Sequence, residues 1–402
     1  MNERFDVGVN YWPASSAMRW WRRFDETEVD RDFARIRDAG GDLVRFFLLW
    51  EDFQPEHDVI SERALAHLVT VADTAQRHGL RIMPTLFTGH MSGANFVPEW
   101  ALAYGSASSP RFRVISRDRV VERAMRNWYV DPLVLGAQAL LARECARALA
   151  GHPALSRWDL GNENSNCCVP PTSDDGVRWL ERMASEIRSA DASCGITIGI
   201  HMEDLEENRR IGPAEAARVC DVLCMHGYPI YASWSRSPVD PELLAFLADV
   251  TRWLAGLKKD VLFAEFGAPT RNGDPEAERI AGGSLLTEEE AARYTAAAFE
   301  RLRTAGATGG LVWCYADYDR AIWSEPPLDR APHERHFGLW RADGTPKPAA
   351  ATLAGARGPR LPPPRVPWSE AERKVFYQSP RDTLVRLYRE YTERPALARP
   401  LL

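Results

Sequence analysis

Short apolar runs alternate with longer amphipathic stretches along most of this chain. Runs at 6–10, 43–48, 81–86, 156–161, 196–201, 222–226, 261–266 and 310–314 are brief, mostly apolar and often rich in branched residues, the pattern of buried strands. Between them, stretches at 26–38, 62–78, 133–150, 175–190, 241–257 and 288–305 carry apolar residues at helical spacing. Several open on Ser, Thr or Asp, and Thr287 with Glu290 has the spacing of a capping box. Strands that alternate with helices predict parallel pairing. Eight of them over about 350 residues predict a (β/α)8 TIM barrel with enlarged βα loops. No GxGxxG or P-loop pattern supports an open doubly wound sheet instead.

The barrel is expected to occupy residues 1–355, and the chain changes character after it. Gly355 to Pro364 is basic and rich in proline, which excludes a regular helix or central strand and predicts an extended connector. Beyond it, 369–376 and 381–391 are expected to be short helices bearing Val375, Phe376, Leu384, Leu387 and Tyr388. Such a tail, 356–402, is too small to hold a core alone. It is expected to pack on the barrel or on a neighbouring subunit, which leaves open a homo-oligomer formed through the tail.

Composition narrows the function classes. The 402 residues carry a formal net charge of −6 with acidic and basic side chains interspersed, so no polyanion-binding face is expected and nucleic acid is not a predicted partner. The first residues lack a basic segment followed by an apolar stretch, and no run is long enough to span a bilayer, so no membrane partner is predicted and a cytoplasmic protein is expected. Seven cysteines, an odd number in mostly apolar contexts, predict buried reduced thiols. Cys220 and Cys224 have no second pair at ligand spacing, so no metal and no cofactor is expected.

The chemistry gathers at the strand ends. In a barrel of this kind, side chains at the C-terminal ends of the strands face the substrate. Here strand two carries Arg45, strand three reaches His90, and strand four ends in Asn162-Glu163. Strand six ends in His226-Gly227-Tyr228, strand seven in Glu265 and strand eight in Trp313. Glu163 and Glu265 suit glycosidic-bond hydrolysis, in which one carboxyl protonates the leaving oxygen while the other, ionised, attacks. Their spacing matches three βα units, which places them across the barrel mouth with carboxyl groups expected about 5 Å apart, the separation of a retaining mechanism. Arg45 and Tyr228 are expected to hold Glu265 ionised with a low pKa, and the like charge of Glu265 to raise that of Glu163. Asn162 is placed for a sugar 2-hydroxyl, His90 and His226 for hydroxyls or for orienting Glu163, and Trp313 offers a flat face to a pyranose.

Arg45, His90, Asn162, Glu163, His226, Tyr228, Glu265 and Trp313 resemble, in order and by strand, the residue set of glycoside hydrolase family 5 in clan A of the retaining barrel glycosidases. The resemblance covers roughly residues 5 to 355. It implies Glu163 as acid/base, Glu265 as nucleophile and the other six as their supporting shell. The segment from His90 through Asn95 to Trp100, with the opening Asn10-Tyr11-Trp12-Pro13, is similar to the mannan- and mannoside-active members, which adds Trp12 and Asn95 to the substrate-binding or supporting set. Trp12, Trp20, Trp21, Trp50, Trp100, Trp128, Trp234 and Trp323 are candidates for lining sugar subsites, with about half of them expected to be structural. The resemblance implies a β-linked oligosaccharide or glycoside as substrate. An exo-acting β-mannosidase, with long loops after strands one, three and eight closing one end of the cleft, is the reading favoured here. An endo-β-1,4-mannanase or endo-glucanase is the alternative, and a non-catalytic carbohydrate-binding barrel a distant one.

Overall fold

The computed structural model describes residues 4–104, 111–281 and 284–393. Eight parallel strands close into a barrel: Asp6–Tyr11, Leu43–Leu49, Arg81–Thr88, Arg157–Asn162, Gly195–His201, Leu223–His226, Val261–Phe266 and Gly309–Val312. Each pairs with its neighbour in sequence, and the first pairs with the eighth, so no edge is left open. These are the eight strands expected from the sequence, with ends shifted by at most two residues.

The surrounding helices start where polar side chains can satisfy their first backbone N–H groups. Asp25, Ser61, Asp131, Asp240 and Thr287 each accept such bonds, and Thr172 with Asp175 forms a capping box that starts its helix at Ser173. Each cap stabilises its helix by about 1 kcal/mol. The helix Pro241–Leu254 is buried along nearly its whole length because the C-terminal tail covers its outer side.

Inside the barrel, Leu43, Met83, Cys224, Leu262, Ala264 and Leu311 form a small apolar plug. A polar layer follows towards the C-terminal ends, with Asn10, Arg45, Thr85 and Asp159 fully buried. Gly199 makes room for it: a Cβ there would lie 2.9 Å from His226 Cε1 and 3.0 Å from Arg45 Nη2. The fifth strand therefore passes close to the guanidinium only without a side chain at that point.

The loop after strand three contains structure that the strand pattern does not predict. His90–Met91, Ala94–Phe96, Arg113–Ser116 and Arg119–Val121 form a four-stranded sheet over the barrel mouth. The tail helices Glu370–Val375 and Pro380–Glu393 fold back on the chain, burying Phe376, Leu384, Leu387 and Tyr388. Tyr388 packs against Trp234 and Phe246, and Phe376 against Trp253. Val375 stays exposed. Residues 1–3 and 394–402 of the expected segments lie outside the described residues. All seven cysteines are free, and burial pushes the Cys194 and Cys224 thiols up to about 12, the protonated state. No helix is long and apolar enough to cross a membrane among the described residues.

Candidate active site

A cavity of about 440 Å³ opens at the C-terminal ends of the strands, a volume suited to a small ligand. His90, Asn162, Glu163, His226, Tyr228, Glu265 and Trp313 line it, seven of the ten residues singled out in the sequence. Arg45, Asn95 and Trp12 stand behind it.

Arg45 organises the floor. It is fully buried and its guanidinium donates to four neighbours: Asp159 at 2.8 Å, Asn10 at 3.0 Å, Asn162 at 2.8 Å, and Glu265 through Nη1. A planar fork with fixed donors can hold all four at once, which a lysine cannot. Asn10 enters the sequence pattern only through the opening Asn10-Tyr11-Trp12-Pro13, and Asp159 not at all as a strand end, because both sit one layer deeper. Their signal in the sequence is a polar residue within an otherwise apolar strand.

Glu265 ends strand seven and is 4% exposed. Besides Arg45, it accepts a 2.7 Å bond from the Tyr228 hydroxyl on Oε2. Burial nevertheless raises its pKa above the ordinary carboxylate value, against the opposing pull of His226, Arg45 and Tyr228. This corrects the expectation of a low pKa: a carboxyl inside a closed barrel loses more hydration than two donors and a neutral ring restore.

Glu163 follows strand four in a left-handed backbone conformation, φ 49°, which few non-glycine residues adopt. Its N–H bonds Gly199 O at 3.1 Å, and Asn166 donates to Oε2 at 3.2 Å. His226 Nδ1 lies 3.0 Å from its Oε1 and 3.5 Å from Glu265 Oε1. His226 Nε2 is buried without a hydrogen-bond partner, so the proton belongs on Nδ1, shared between the carboxylates. Burial drives this imidazole down to about 4, so the ring is neutral. One ligand atom each of Glu163, His226 and Glu265 lies within 4.8 Å of the others. With Nδ1 protonated, the trio is a hydrogen-bonded set rather than three open ligand positions.

Two more imidazoles face Glu163. His90 Nε2 is 3.9 Å and His201 Nδ1 3.8 Å from its Oε2. Asn95 orients His90 through a 2.8 Å bond to Nδ1, and Ser165 lies 3.0 Å from His201 Nε2. Burial lowers both rings, His201 to about 4. His201 ends strand five and was missed, although the strand-end rule that found His226 applies to it equally. Asn162 donates to His90 O at 2.9 Å and keeps a second amide proton for a ligand.

Trp313 lines the cavity, but the other tryptophans do not. Trp12 is fully buried and stacks on Phe47, which in turn packs edge-on to Trp313. Its place is therefore behind the platform, and the expectation of a sugar-contacting surface there is corrected. Trp20, Trp21, Trp50 and Trp128 are likewise core residues at 1–2% exposure. Tyr231 and Glu334 also line the cavity and carry no local signal in the sequence. A further cavity of about 530 Å³ near Trp21 is lined by Arg22 and by Glu51, Asp52 and Asp118, each of which pairs with that guanidinium.

No family model matches the chain. Among curated proteins, mannan endo-1,4-beta-mannosidase 2 of Oryza sativa subsp. japonica is 25% identical over 240 residues, 51% of this chain and 50% of that protein. Its namesake in Arabidopsis thaliana is 25% identical over 239 residues, 53% and 52% of the two chains. The chain thus spans about half the length of the curated relatives it matches. GH5_18 of Streptomyces cattleya, solved in complex with Manb1-4GlcNAc, superposes with a TM-score of 0.78 at 25% identity, covering 98% of this chain and 93% of that one. An exo-beta-1,4-mannosidase of Opitutaceae bacterium strain TAV5 gives 0.69 at 27% identity, covering 88% and 59%. In its closed barrel and its strand-end residues the chain resembles the clan A barrels of glycoside hydrolase family 5, and it is similar to mannosidases among the relatives named above.

Proposed function

We propose that the chain is a retaining, exo-acting β-mannosidase that releases terminal β-mannose from short oligosaccharides. The observation that carries the reading is the pair Glu163 and Glu265, with an oxygen of each within 4.8 Å in one cavity and unlike partners around them. Such a gap suits direct attack by one carboxylate and leaves little room for the water of an inverting mechanism.

In the first step Glu163 gives its proton to the glycosidic oxygen, the bond from that oxygen to the anomeric carbon breaks, and a Glu265 oxygen bonds to the same carbon. Arg45 and Tyr228 hold Glu265 in place for the attack. In the second step Glu163, now ionised, takes a proton from water, whose oxygen displaces Glu265 and restores the anomeric configuration. Asn162 has an amide proton free for the 2-hydroxyl, a contact that strengthens towards the transition state. Trp313 supplies the face under the ring.

A solved relative bound to Manb1-4GlcNAc and another named as an exo-mannosidase support terminal β-mannose as the group released. The curated relatives are named as endo-acting mannan enzymes, which keeps endo-β-1,4-mannanase as the second reading. Aryl β-mannoside, β-glucoside and β-galactoside, followed by short manno-oligosaccharides, separate these. Mannose as the sole product, with retained configuration by NMR, is the expected result. Glu265→Ala should abolish turnover while sugar binding persists, and inverted product would refute the scheme.

A further inference from the structure

The loop after strand three crosses the barrel mouth to reach the far side. Strand three stands opposite strand seven in the ring, three places from both strand six and strand eight. Its hairpin His90–Met91 to Ala94–Phe96 turns through Ser92 and Gly93, with φ of 48° and 76°, the positive pair that a two-residue primed turn needs. At the tip, Ser92 Oγ donates to Glu334 Oε2 at 3.1 Å. Tyr231, from the loop after strand six, donates to Glu334 Oε1 at 2.8 Å, and its oxygen lies 2.9 Å from His333 Nε2. Three loops thus meet on one carboxylate that is 8% exposed. All four residues face the cavity, and no described residue of the loops after strands one and two does.

We propose that this Ser92–Glu334–Tyr231 junction is the wall that ends the cleft beyond the terminal sugar, and that Glu334 accepts hydrogen bonds from that sugar's outer hydroxyls. The inference rests on the β-mannosidase reading and sharpens it. An open cleft continues a chain towards further sugars; here the bridge occupies the path towards strands one and two. Each Glu334 oxygen has a second acceptor position beyond those filled by Tyr231 and Ser92. A hydroxyl that carried another sugar could not donate to it, and the extra ring would meet the bridge. Closure at this end comes from the loops after strands three, six and eight, with loop six in the place expected for loop one.

Two variants test this on reduced β-1,4-mannopentaose and an aryl β-mannoside. Wild type is expected to release mannose alone from the pentamer. Glu334→Ala combined with Tyr231→Ala removes the bridge and should yield mannobiose and mannotriose among the first products. Glu334→Gln keeps the shape but weakens the acceptor, so it should keep the mannose-only pattern and raise KM for the aryl mannoside about tenfold with a smaller change in kcat. A folded double variant that still liberates only mannose, or an unchanged KM in Glu334→Gln, overturns the proposal. Mannobiose or mannotriose with a free reducing end, released by wild type, overturns the wall while leaving β-mannoside hydrolysis standing. Wild type inactive on every β-mannoside defeats the underlying reading instead.

Discussion

Replacing Tyr228 by Phe removes one oxygen and leaves the ring in place against Tyr231 and Phe337. What is lost is the 2.7 Å bond to Glu265 Oε2. A hydrogen bond to a charged, buried acceptor contributes about 1.5–3 kcal/mol, which corresponds to about one to two pKa units. The sign follows from the protonation state it favours. The phenol donates to the ionised carboxylate, so its loss pushes Glu265 further up from a value that burial has already raised. Attack requires the ionised form, and the acid limb of the kcat/KM profile reports the free enzyme. That limb should therefore move about one to two pH units towards neutrality in Tyr228→Phe, measured with an aryl β-mannoside across the acid range. Activity at a fixed pH below the new limb falls steeply, while activity above it is affected less. An acid limb that coincides with that of wild type refutes the claim that Tyr228 sets the charge of the nucleophile.

Glu163→Ala should depend on the leaving group. An alkyl or sugar aglycone needs protonation and should lose about 10²–10⁴-fold in glycosylation rate, whereas a dinitrophenyl mannoside should lose far less in that step, seen by burst kinetics. Arg45→Met strands Asp159 and Glu265 without their cation, and breaking a buried pair costs about 3–5 kcal/mol, so the urea midpoint should fall sharply together with activity. Asn95→Ala leaves His90 Nδ1 without its acceptor, at a cost of about 1–3 kcal/mol of stability, so the melting temperature should fall, and kcat/KM should fall as well because His90 is no longer held beside Glu163.

The barrel was legible because its signal repeats. Each strand is a short apolar run, each long barrel helix opens on a capping side chain, and the chemistry sits at the same end of most strands, so Glu163 and Glu265 are located by counting units. The same rule should have named His201, which ends strand five as His226 ends strand six. The aromatic residues were harder to place. A tryptophan in a loop has the same sequence signature whether it is a sugar platform or packing, and Trp12, one layer behind Trp313, fell on the wrong side of that choice. Tyr231 and Glu334 are separated by 103 positions and meet only because two loops converge, so nothing local predicts them. The tail was recognisable by its prolines, but its seat on the helix Pro241–Leu254 depends on complementary aromatic surfaces rather than on any periodicity.

On the proposed reading, two chemically identical side chains take different parts because their surroundings differ. Glu265 contacts a guanidinium and a phenol, donors that favour a fixed negative charge. Among the described residues, no lysine or arginine nitrogen lies within 4 Å of Glu163; its neighbours there include the Asn166 amide and three imidazoles. Burial lowers those imidazoles, His201 and His226 to about 4, so near neutral pH they are uncharged. A carboxyl with no cationic side chain against it can exchange a proton without breaking an ion pair, which is what a group that serves first as acid and then as base requires. A charged histidine in the same place would pin Glu163 as its anion and oppose the first step. The burial that gathers three histidines around one glutamate is therefore part of how this site, on the proposed reading, separates the proton carrier from the attacking carboxylate.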